Sequence, residues 1–349
     1  MKILTVIGAR PQFIKHAAVD FAFKKYKQVS LFTVHTGQHY DSRMSDVFFD
    51  ELQMSKPDAF LKVGSYNHGK QTGLMMIDLE EIMIAEKPNA VLVYGDTNST
   101  LAGALVGSKL HIPVIHIEAG LRSFNKSMPE EINRILTDHV SSLLFAPSPS
   151  ALEQLKKESI QAECYLAGDV MYDMIKLITP YLEIENNATY YLATIHRPYN
   201  TDNSNRLLNI LKEFNQLSYP VKFPIHPRTL SVMKQSNTQV KDFENITFME
   251  PQSYVEMMRL LKGSKALITD SGGMQKEAYW MQKKCVTLRS ETEWKETLIN
   301  GWNTLVFDDL SVINDIIKLP AGEYVHGIYG NGSASDEIAE KIISYLEKM

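Results

Sequence analysis

Three acidic sites in the first half of the sequence stand where predicted β-strands end or where the next helix begins. Asp96 follows the apolar segment Ala90–Tyr94, Glu118 follows the segment Pro113–Ile117, and Glu130–Glu131 opens the helix beyond it. In an open α/β sheet, the carboxyl ends of neighbouring strands face one crevice, where ligands bind. The sequence therefore predicts that these carboxylates converge.

Converging carboxylates are suited to proton transfer to and from carbon. Like charges held close together cannot all stay ionised, so at least one pKa is expected to rise towards neutrality. Arg122 and Arg134 are expected beside them. The alternative is helix capping, because Asp96 precedes a predicted helix and Glu130 lies in a first turn. Three acids in succession favour the catalytic interpretation.

The first predicted strand, Lys2–Ile7, leads into a basic turn. Gly8 permits a tight turn, Pro11 is suited to a helix start, and Arg10 and Lys15 are expected at the edge of the crevice. The dinucleotide pattern GxGxxG is absent from this turn. Arginine grips phosphate through paired donors, so an anion is the predicted ligand, and an exposed basic first turn is the alternative.

Two histidines close predicted strands in the second half. His196, next to Arg197, is a candidate general acid, or a phosphate partner when it is charged. His226, within Pro224–Arg228, repeats the pattern with weaker specificity. A structural role is the alternative for either ring.

The segment Thr269–Glu277 (TDSGGMQKE) carries the sharpest signal of the second half. Ser271, Gly272 and Gly273 open a helix after a buried strand, where free amides and the helix dipole favour a phosphate. Glu277, one turn further, is suited to accept hydrogen bonds from ribose hydroxyls, and a plain glycine-containing turn is the alternative. Acids in one half and phosphate contacts in the other indicate a nucleotide-linked polar ligand.

The elements that must position these residues alternate between strand and helix, which predicts an α/β protein with parallel sheets covered on both faces. The strands are predicted at Lys2–Ile7, Val29–His35, Ala90–Tyr94, Pro113–Ile117, Leu143–Ala146, Ala162–Leu166, Tyr190–Thr194, Val221–Pro224, Ile246–Phe248, Ala266–Thr269 and Cys285–Leu288. Helices are predicted between them, for example at Gly69–Glu86, Thr97–Leu110, Glu130–Val140 and Arg206–Leu217.

A length of 349 residues favours two domains, and the break is expected near Gly168. The predicted domains are residues 1–168 and 169–332, followed by an amphipathic helix over 333–349. The net charge of −5, without a basic run, leaves no electrostatic footprint for nucleic acid. No apolar stretch reaches about 18 residues, so no membrane partner is predicted.

Cys164 and Cys285 lie far apart and outside any metal-ligand spacing, so they are interpreted as reduced, buried thiols of a cytoplasmic protein. No metal site and no cofactor are predicted. The opening MKILTVIG is interpreted as a first strand rather than a signal peptide.

Taken together, the motifs resemble the non-hydrolysing UDP-N-acetylglucosamine 2-epimerases over nearly the whole sequence. The matching motifs are Gly8–Lys15 (GARPQFIK), Thr36–His39 (TGQH), Gly95–Thr97 (GDT), Glu118–Arg122 (EAGLR), Pro129–Arg134 (PEEINR), Ile195–Arg197 (IHR), Ile225–Pro227 (IHP), Thr269–Gln275 (TDSGGMQ) and Thr292–Glu293. The resemblance implies a glycosyltransferase-B arrangement of two Rossmann-like domains, with the active site in the interdomain cleft and the last helix packing back on the first domain.

The resemblance also implies a reaction. Proton H2 of the sugar is removed, UDP leaves to give 2-acetamidoglucal, and UDP returns while a proton reaches the opposite face of C2. By matching position, the acid/base group is Asp96, Glu118 and Glu130, and His196 helps the departing or returning diphosphate. A homodimer and a UDP-sugar substrate are expected from the family.

The remaining matched positions fall into two groups. The UDP site is implied at Arg10, Ser271, Gly272, Gly273 and Glu277. In some bacterial members a second UDP-N-acetylglucosamine activates the enzyme, and the positions linked to that regulatory or sugar site are Lys15, Gln38, Arg197 and His226.

Two departures from the family pattern concern the sugar. Lys276 stands where many members carry an acid, and Trp294 follows Thr292–Glu293 where Arg-Pro is common. The Thr-Glu-Trp form also resembles epimerases that act on UDP-2,3-diacetamido-2,3-dideoxy-glucuronic acid. A hydrolysing relative, a glycosyltransferase of the same fold and a non-catalytic UDP-sugar sensor are the other hypotheses.

Overall fold

The computed structural model describes the backbone of residues 1–38, 54–184, 189–236 and 238–349, and its contacts divide the chain into two compact units. The first unit comprises Met1–Leu177 together with Gly327–Met349, and the second comprises Ile178–His326. Each unit contains a parallel sheet with helices, so the predicted α/β class is confirmed.

The sheet of the first unit has seven strands in the order β3-β2-β1-β4-β5-β6-β7, and every described pairing is parallel. The strands are β1 (Lys2–Ile7), β2 (Ser30–His35), β3 (Ala59–Phe60), β4 (Ala90–Tyr94), β5 (Val114–Ile117), β6 (Leu143–Ala146) and β7 (Glu163–Leu166). Central strands such as β4 are buried along their whole length, as expected when both faces of a parallel sheet are covered. The strand order reverses between β1 and β4, where open α/β sheets bind their ligands.

Helices follow the strands of the first unit: α1 (Arg10–Phe23), α2 (His68–Glu86), α3 (Asn98–Lys109), α4 (Pro129–Val140), α5 (Pro149–Lys157) and α6 (Val170–Ile178). Local sequence sets several starts. Pro11, Pro129 and Pro149 lie in first turns, where the missing N–H costs no helical hydrogen bond. Thr97 caps α3 by accepting a hydrogen bond from the Thr100 N–H at 3.3 Å.

The second unit repeats the architecture with six parallel strands in the order β10-β9-β8-β11-β12-β13. Its strands are β8 (Tyr191–Thr194), β9 (Val221–Pro224), β10 (Ile246–Met249), β11 (Ala266–Thr269), β12 (Lys284–Thr287) and β13 (Asn303–Leu305). Its helices are α7 (Pro198–Thr201), α8 (Ser204–Asn215), α9 (Pro227–Gln235), α10 (Tyr254–Gly263), α11 (Gly272–Trp280) and α12 (Ile313–Lys318). One face of the sheet buries a core centred on Phe214 and Phe223.

The last helix, α13 (Ala334–Leu346), belongs to the first unit and packs against α1. Asp173 on α6 fixes its start, because its carboxylate accepts hydrogen bonds from the Ala334 N–H at 3.2 Å and the Ser335 N–H at 2.6 Å. The carboxylate supplies the cap from another helix, so the first-turn amides of α13 are satisfied without a side-chain bond from its own N-cap residue.

The unit boundaries differ from the predicted ones by several residues. Residues 169–177, expected in the second domain, lie in the first unit, and the chain returns to that unit at Gly327. The reason is local: the Asp169 N–H donates to the Tyr329 carbonyl at 3.0 Å, and α6 carries the Asp173 cap. The strands β3 and β13 were not predicted, because two and three residues are too short to show a period.

Candidate active site

Gln12 fixes the turn that carries Arg10. Its Oε1 accepts from the Gly8 N–H at 2.8 Å and the Ala9 N–H at 3.0 Å, and its Nε2 donates to the Tyr94 carbonyl at 3.1 Å. This one side chain therefore ties the start of α1 to the end of β4 across the switch point. Arg10, the first residue of α1, is half-buried beside this junction.

Glu118 forms an ion pair with Lys15 at the same edge of the sheet. Both side chains are about nine-tenths buried, at 8% exposure each. The pair lies against Gly95, because a Cβ added there would come within 3.2 Å of Lys15 Nζ and 3.3 Å of Glu118 Oε2. Gly95 has φ +62°, and Glu118 itself has φ +72°, which is uncommon for a residue with a side chain. Backbone strain of this kind concentrates at functional sites.

Asp96, the residue directly after Gly95, forms a second ion pair. Its Oδ2 lies 2.5 Å from Arg134 Nη2 on α4, and its side chain is 31% exposed. The Asn133 amide donates to the Asp96 carbonyl at 2.9 Å and holds the backbone. Burial by itself raises the pKa of Asp96, but the opposing attractions of Arg134 and then Lys15 outweigh it, so this pKa lies below its usual value. Asp96 is therefore not the acid whose pKa is expected to rise towards neutrality.

The two acids of the PEEINR motif have different environments. Glu130 is half-buried in the first turn of α4, four residues before Arg134. Glu131 is buried, and its carboxylate accepts from the backbone N–H groups of Ser123 and Phe124, each at 2.9 Å. Glu131 therefore holds the loop that follows Glu118, which leaves Glu130 as the acid of this motif with access to a ligand.

The sequence predicted Arg122 beside the acids, and the structure places it elsewhere. Its guanidinium contacts Asp138 at 2.7 Å and Glu158 at 2.6 Å, and all but 2% of its side chain is buried. It is part of a buried network beneath the Glu118 loop. The reason is the left-handed turn at Gly120, φ +82°, which redirects the chain after Glu118.

Gln38, matched to a regulatory position, is engaged at the start of α3. Its Oε1 accepts from the Ser99 N–H at 3.0 Å and the Ser99 hydroxyl at 2.7 Å. Thr36, also of the TGQH motif, contacts the same hydroxyl at 2.8 Å. His39 of that motif lies outside the described residues.

Asp270 organises the histidine turn of the second unit. Its carboxylate accepts from the backbone N–H groups of His196 at 3.1 Å and Arg197 at 2.9 Å, and lies 3.1 Å from His196 Nδ1. Asn200 donates to it at 3.0 Å. Asp270 is fully buried, whereas the His196 side chain is 49% exposed. The carboxylate thus orients the ring, an arrangement typical of active histidines. Asp270 was not predicted as a site residue.

The glycine-containing turn follows directly. Ser271 is the N-cap of α11 and its hydroxyl accepts from the Met274 N–H at 3.5 Å. Gly272 and Gly273 form the first turn of this nine-residue helix. A Cβ added at Gly272 would come within 2.7 Å of Glu293 Oε1, so a side chain at this position would displace that carboxylate. The helix start offers the backbone amides that a phosphate needs.

Beyond this turn, α11 is buried on all sides, and Glu277 and Lys276 are almost fully enclosed. The Lys276 ammonium lies 3.6 Å from the centroid of the Trp294 ring, a cation–π contact. Trp294, 4% exposed, is part of the packed interior. His226 is exposed just before α9, and Arg197 is half-buried beside His196.

The chain was compared with known proteins. A family model described as UDP-N-acetylglucosamine 2-epimerase matches residues 22–343. The chain belongs to the UDP-N-acetylglucosamine 2-epimerase family. The predicted family and the predicted enzyme class, a 2-epimerase and thus an isomerase, are confirmed.

Two relatives in this family carry different names. The chain is 45% identical to a UDP-N-acetylglucosamine 2-epimerase homolog of Methanococcus maripaludis, over 97% of this chain and 99% of the relative. It is 44% identical to the UDP-2,3-diacetamido-2,3-dideoxy-D-glucuronate 2-epimerase of Pseudomonas aeruginosa, over 100% of both chains. The crystal structure of Methanocaldococcus jannaschii UDP-GlcNAc 2-epimerase in complex with UDP-GlcNAc and UDP matches with a TM-score of 0.90 and 38% identity, covering 99% of this chain and 100% of that one.

Across the residues that the structure describes, no group of three or more His, Cys, Asp or Glu side chains is placed to hold a metal ion. Over the same residues, no helix combines the length and the apolar character needed to cross a bilayer. Of the two thiols, Cys285 is buried as predicted, whereas Cys164 is only half-buried because β7 lies at the edge of its sheet.

Proposed function

We propose that this family member interconverts UDP-N-acetylglucosamine and UDP-N-acetylmannosamine without hydrolysis. The observation that carries the proposal is a pair of carboxylates at the Gly95 turn, Glu118 with Lys15 beside Gly95 and Asp96 with Arg134 directly after it. Inversion at one carbon needs a proton to leave one face and a proton to arrive on the other, so it needs two carriers. Two carboxylates on neighbouring strand ends, each paired with a cation, meet that need.

The proposed reaction balances without a co-reactant. A carboxylate takes H2 from C2, the C1–O bond to the diphosphate breaks, and a double bond forms between C1 and C2. The diphosphate oxygen then attacks C1 while a carboxylic acid delivers a proton to the opposite face of C2. We assign the acid/base group to Asp96, Glu118 and Glu130.

The nucleotide contacts are proposed from the second unit and from the basic turn. His196, oriented by Asp270, assists the diphosphate as it leaves and returns. Ser271, Gly272 and Gly273 bind a phosphate at the start of α11, Arg10 contributes a cation, and Glu277 accepts from the ribose.

The positions matched to a regulatory or sugar site receive two assignments. The Lys15 ion pair with Glu118 favours a place for Lys15 in the acid group. Gln38, Arg197 and His226 remain proposed as contacts for a second UDP-sugar or for the sugar itself. We also propose a homodimer in the cytoplasm, as expected from the family.

A second candidate substrate is UDP-2,3-diacetamido-2,3-dideoxy-glucuronic acid. It is favoured by the full-length relative of 44% identity that is named for this sugar, together with the Lys276–Trp294 contact in place of the more common acid and arginine. The chemistry at C2 is the same for both sugars.

One experiment tests the reaction and the substrate together. The purified protein is incubated in deuterated water with each UDP-sugar in turn and followed by proton NMR. Loss of the H2 signal with appearance of the 2-epimer, still linked to UDP, supports the proposal for that sugar. Release of free sugar would indicate a hydrolysing enzyme, and no exchange with either sugar would favour a glycosyltransferase or a sensor.

A further inference from the structure

His116 is a fully buried histidine on β5, two residues before Glu118. Its Nδ1 lies 2.7 Å from Asp138 Oδ1 on α4, and its Nε2 lies 2.8 Å from the Gly95 carbonyl oxygen. A carbonyl oxygen only accepts hydrogen bonds, and so does an ionised carboxylate. A neutral imidazole has one N–H and would leave one of these contacts without a donor, so the geometry requires a ring that carries both protons.

Asp138 is held in its ionised form by its surroundings. Besides His116, its carboxylate accepts from the Gly120 N–H at 3.1 Å and lies 2.7 Å from Arg122 Nη1. Burial by itself raises the pKa of Asp138, but the hydrogen bond and charge of His116 and then Arg122 outweigh it, so this pKa lies below its usual value. The Arg122 guanidinium and the Gly120 N–H favour the ionised carboxylate independently of His116, which assigns the proton of this contact to the ring.

The other partner of His116 leads to the acid group. The Gly95 carbonyl belongs to the peptide unit that joins Gly95 to Asp96, and the Gly95 N–H donates to the Ile117 carbonyl at 3.0 Å. A hydrogen bond from a cation to this carbonyl holds the left-handed turn at Gly95 in place. It also places a positive charge one peptide unit behind the Asp96 carboxylate.

We propose that His116 is a positioning residue that carries both ring protons, clamps the Gly95–Asp96 turn to Asp138 and keeps Asp96 ionised from behind. The inference deepens the proposed function, and its catalytic part rests on that function. The charged or titratable groups around the ring are Asp138 and Arg134 on α4, Arg122 and Glu118 after β5, Glu158 after α5, Cys164 on β7, Lys15 on α1, and Asp96 after β4.

The positive charge of the His116 ring distinguishes the proposed role from a purely structural one. His116→Gln keeps a donor towards the Gly95 carbonyl but removes the positive charge and the second donor. His116→Asn keeps a donor only towards Asp138. If the ring serves packing alone, both variants lose stability while the titration of Asp96 stays unchanged.

The test is NMR of the intact protein labelled with 15N-histidine and 13C-aspartate, with His139→Gln as the matched control. His139 is exposed and lies beside Asp138 on the same helix, where its Nδ1 contacts the Ile135 carbonyl at 2.9 Å. The resonances that disappear in His116→Gln are assigned to His116. In the wild type at pH 7, we expect these resonances to show that both ring nitrogens are protonated. We further expect the Asp96 titration to move up by about one unit in His116→Gln and not in His139→Gln.

A wild-type ring with one proton at pH 7, or an Asp96 titration that is equal in His116→Gln and wild type, overturns the proposal. Asp138→Asn, which keeps the shape of the side chain and removes its charge, serves as the second variant if His116→Gln does not fold; a ring that keeps both protons in Asp138→Asn contradicts the proposed clamp. Under the proposed function, at pH values below the raised pKa of Asp96, kcat of His116→Gln is also expected to be about tenfold lower than that of the wild type, with KM little changed. Absence of epimerase activity in the wild type would refute the proposed function and leave the NMR result to decide the inference.

Discussion

The ion pair between Asp96 and Arg134 makes a quantitative prediction about pH. The carboxylate lies 2.5 Å from Nη2 of a guanidinium that is 4% exposed. A hydrogen bond to a charged group contributes about 1.5–3 kcal/mol. Since one pKa unit corresponds to about 1.36 kcal/mol, replacing Arg134 by Met is expected to raise the pKa of Asp96 by about 1–2 units. Lys15 remains and limits the rise, because it also attracts the carboxylate.

The sign follows from which form is stabilised. In the wild type the pKa of Asp96 is lowered, so the pair stabilises the folded protein above the usual carboxyl pKa and loses that contribution as the pH falls through the lowered value. In Arg134→Met the ionised base is lost at a higher pH, so the acid limb of kcat/KM moves up by about 1–2 units while the plateau at high pH is kept.

The assay is the rate of deuterium incorporation at C2 between pH 4 and 9, with the melting temperature recorded at each pH. Arg134→Lys is the matched control, because it retains the charge and shifts the limb less. An acid limb that coincides in wild type and Arg134→Met, in a folded variant, would refute the assignment of Asp96 as a base controlled by this arginine.

Three further predictions concern other parts of the two units. Glu118→Gln is expected to slow C2 exchange at least about 100-fold while calorimetry still detects UDP binding, and loss of UDP binding instead would move this residue to the nucleotide site. Gly272→Val adds a side chain to the proposed phosphate turn, where even an added Cβ would lie 2.7 Å from Glu293 Oε1. The Kd for UDP should therefore rise about tenfold or more, and unchanged affinity would contradict the phosphate assignment. Gly120→Ala combines φ +82° with a Cβ 2.3 Å from the Ala151 carbonyl oxygen, so we expect a loss of about 3 kcal/mol in unfolding free energy, and an unaltered melting temperature would be inconsistent with this turn.

The sequence predicted the strands well because buried parallel strands are short apolar runs with clear ends. Ala90–Tyr94 and Ala266–Thr269 have the predicted bounds, and Asp96 and Ser271 therefore stand where the structure has them. The resemblance to the family added the expectation that the last helix packs back on the first domain, which hydrophobic periodicity alone does not contain.

The sequence did not predict which charged groups pair, because pairing depends on the order of strands in the sheet. Lys15 on α1 was matched to a regulatory position, whereas its ammonium reaches Glu118 after β5. Arg122 was expected beside the acids and contacts Asp138 and Glu158 instead. His116, inside an apolar strand, has the pattern of an ordinary core residue, and only the two acceptors facing its ring distinguish it.

The position of α13 has a consequence for how the protein is made. Ile338 and Ile342 of this helix are fully buried in the first unit, yet the ribosome adds them after every residue of the second. Domains generally fold as units during synthesis, the earlier one first. Residues 178–326 can therefore complete their fold before α13, the helix that packs against α1, has been synthesised. We expect the first unit, whose synthesis begins first, to complete its fold last.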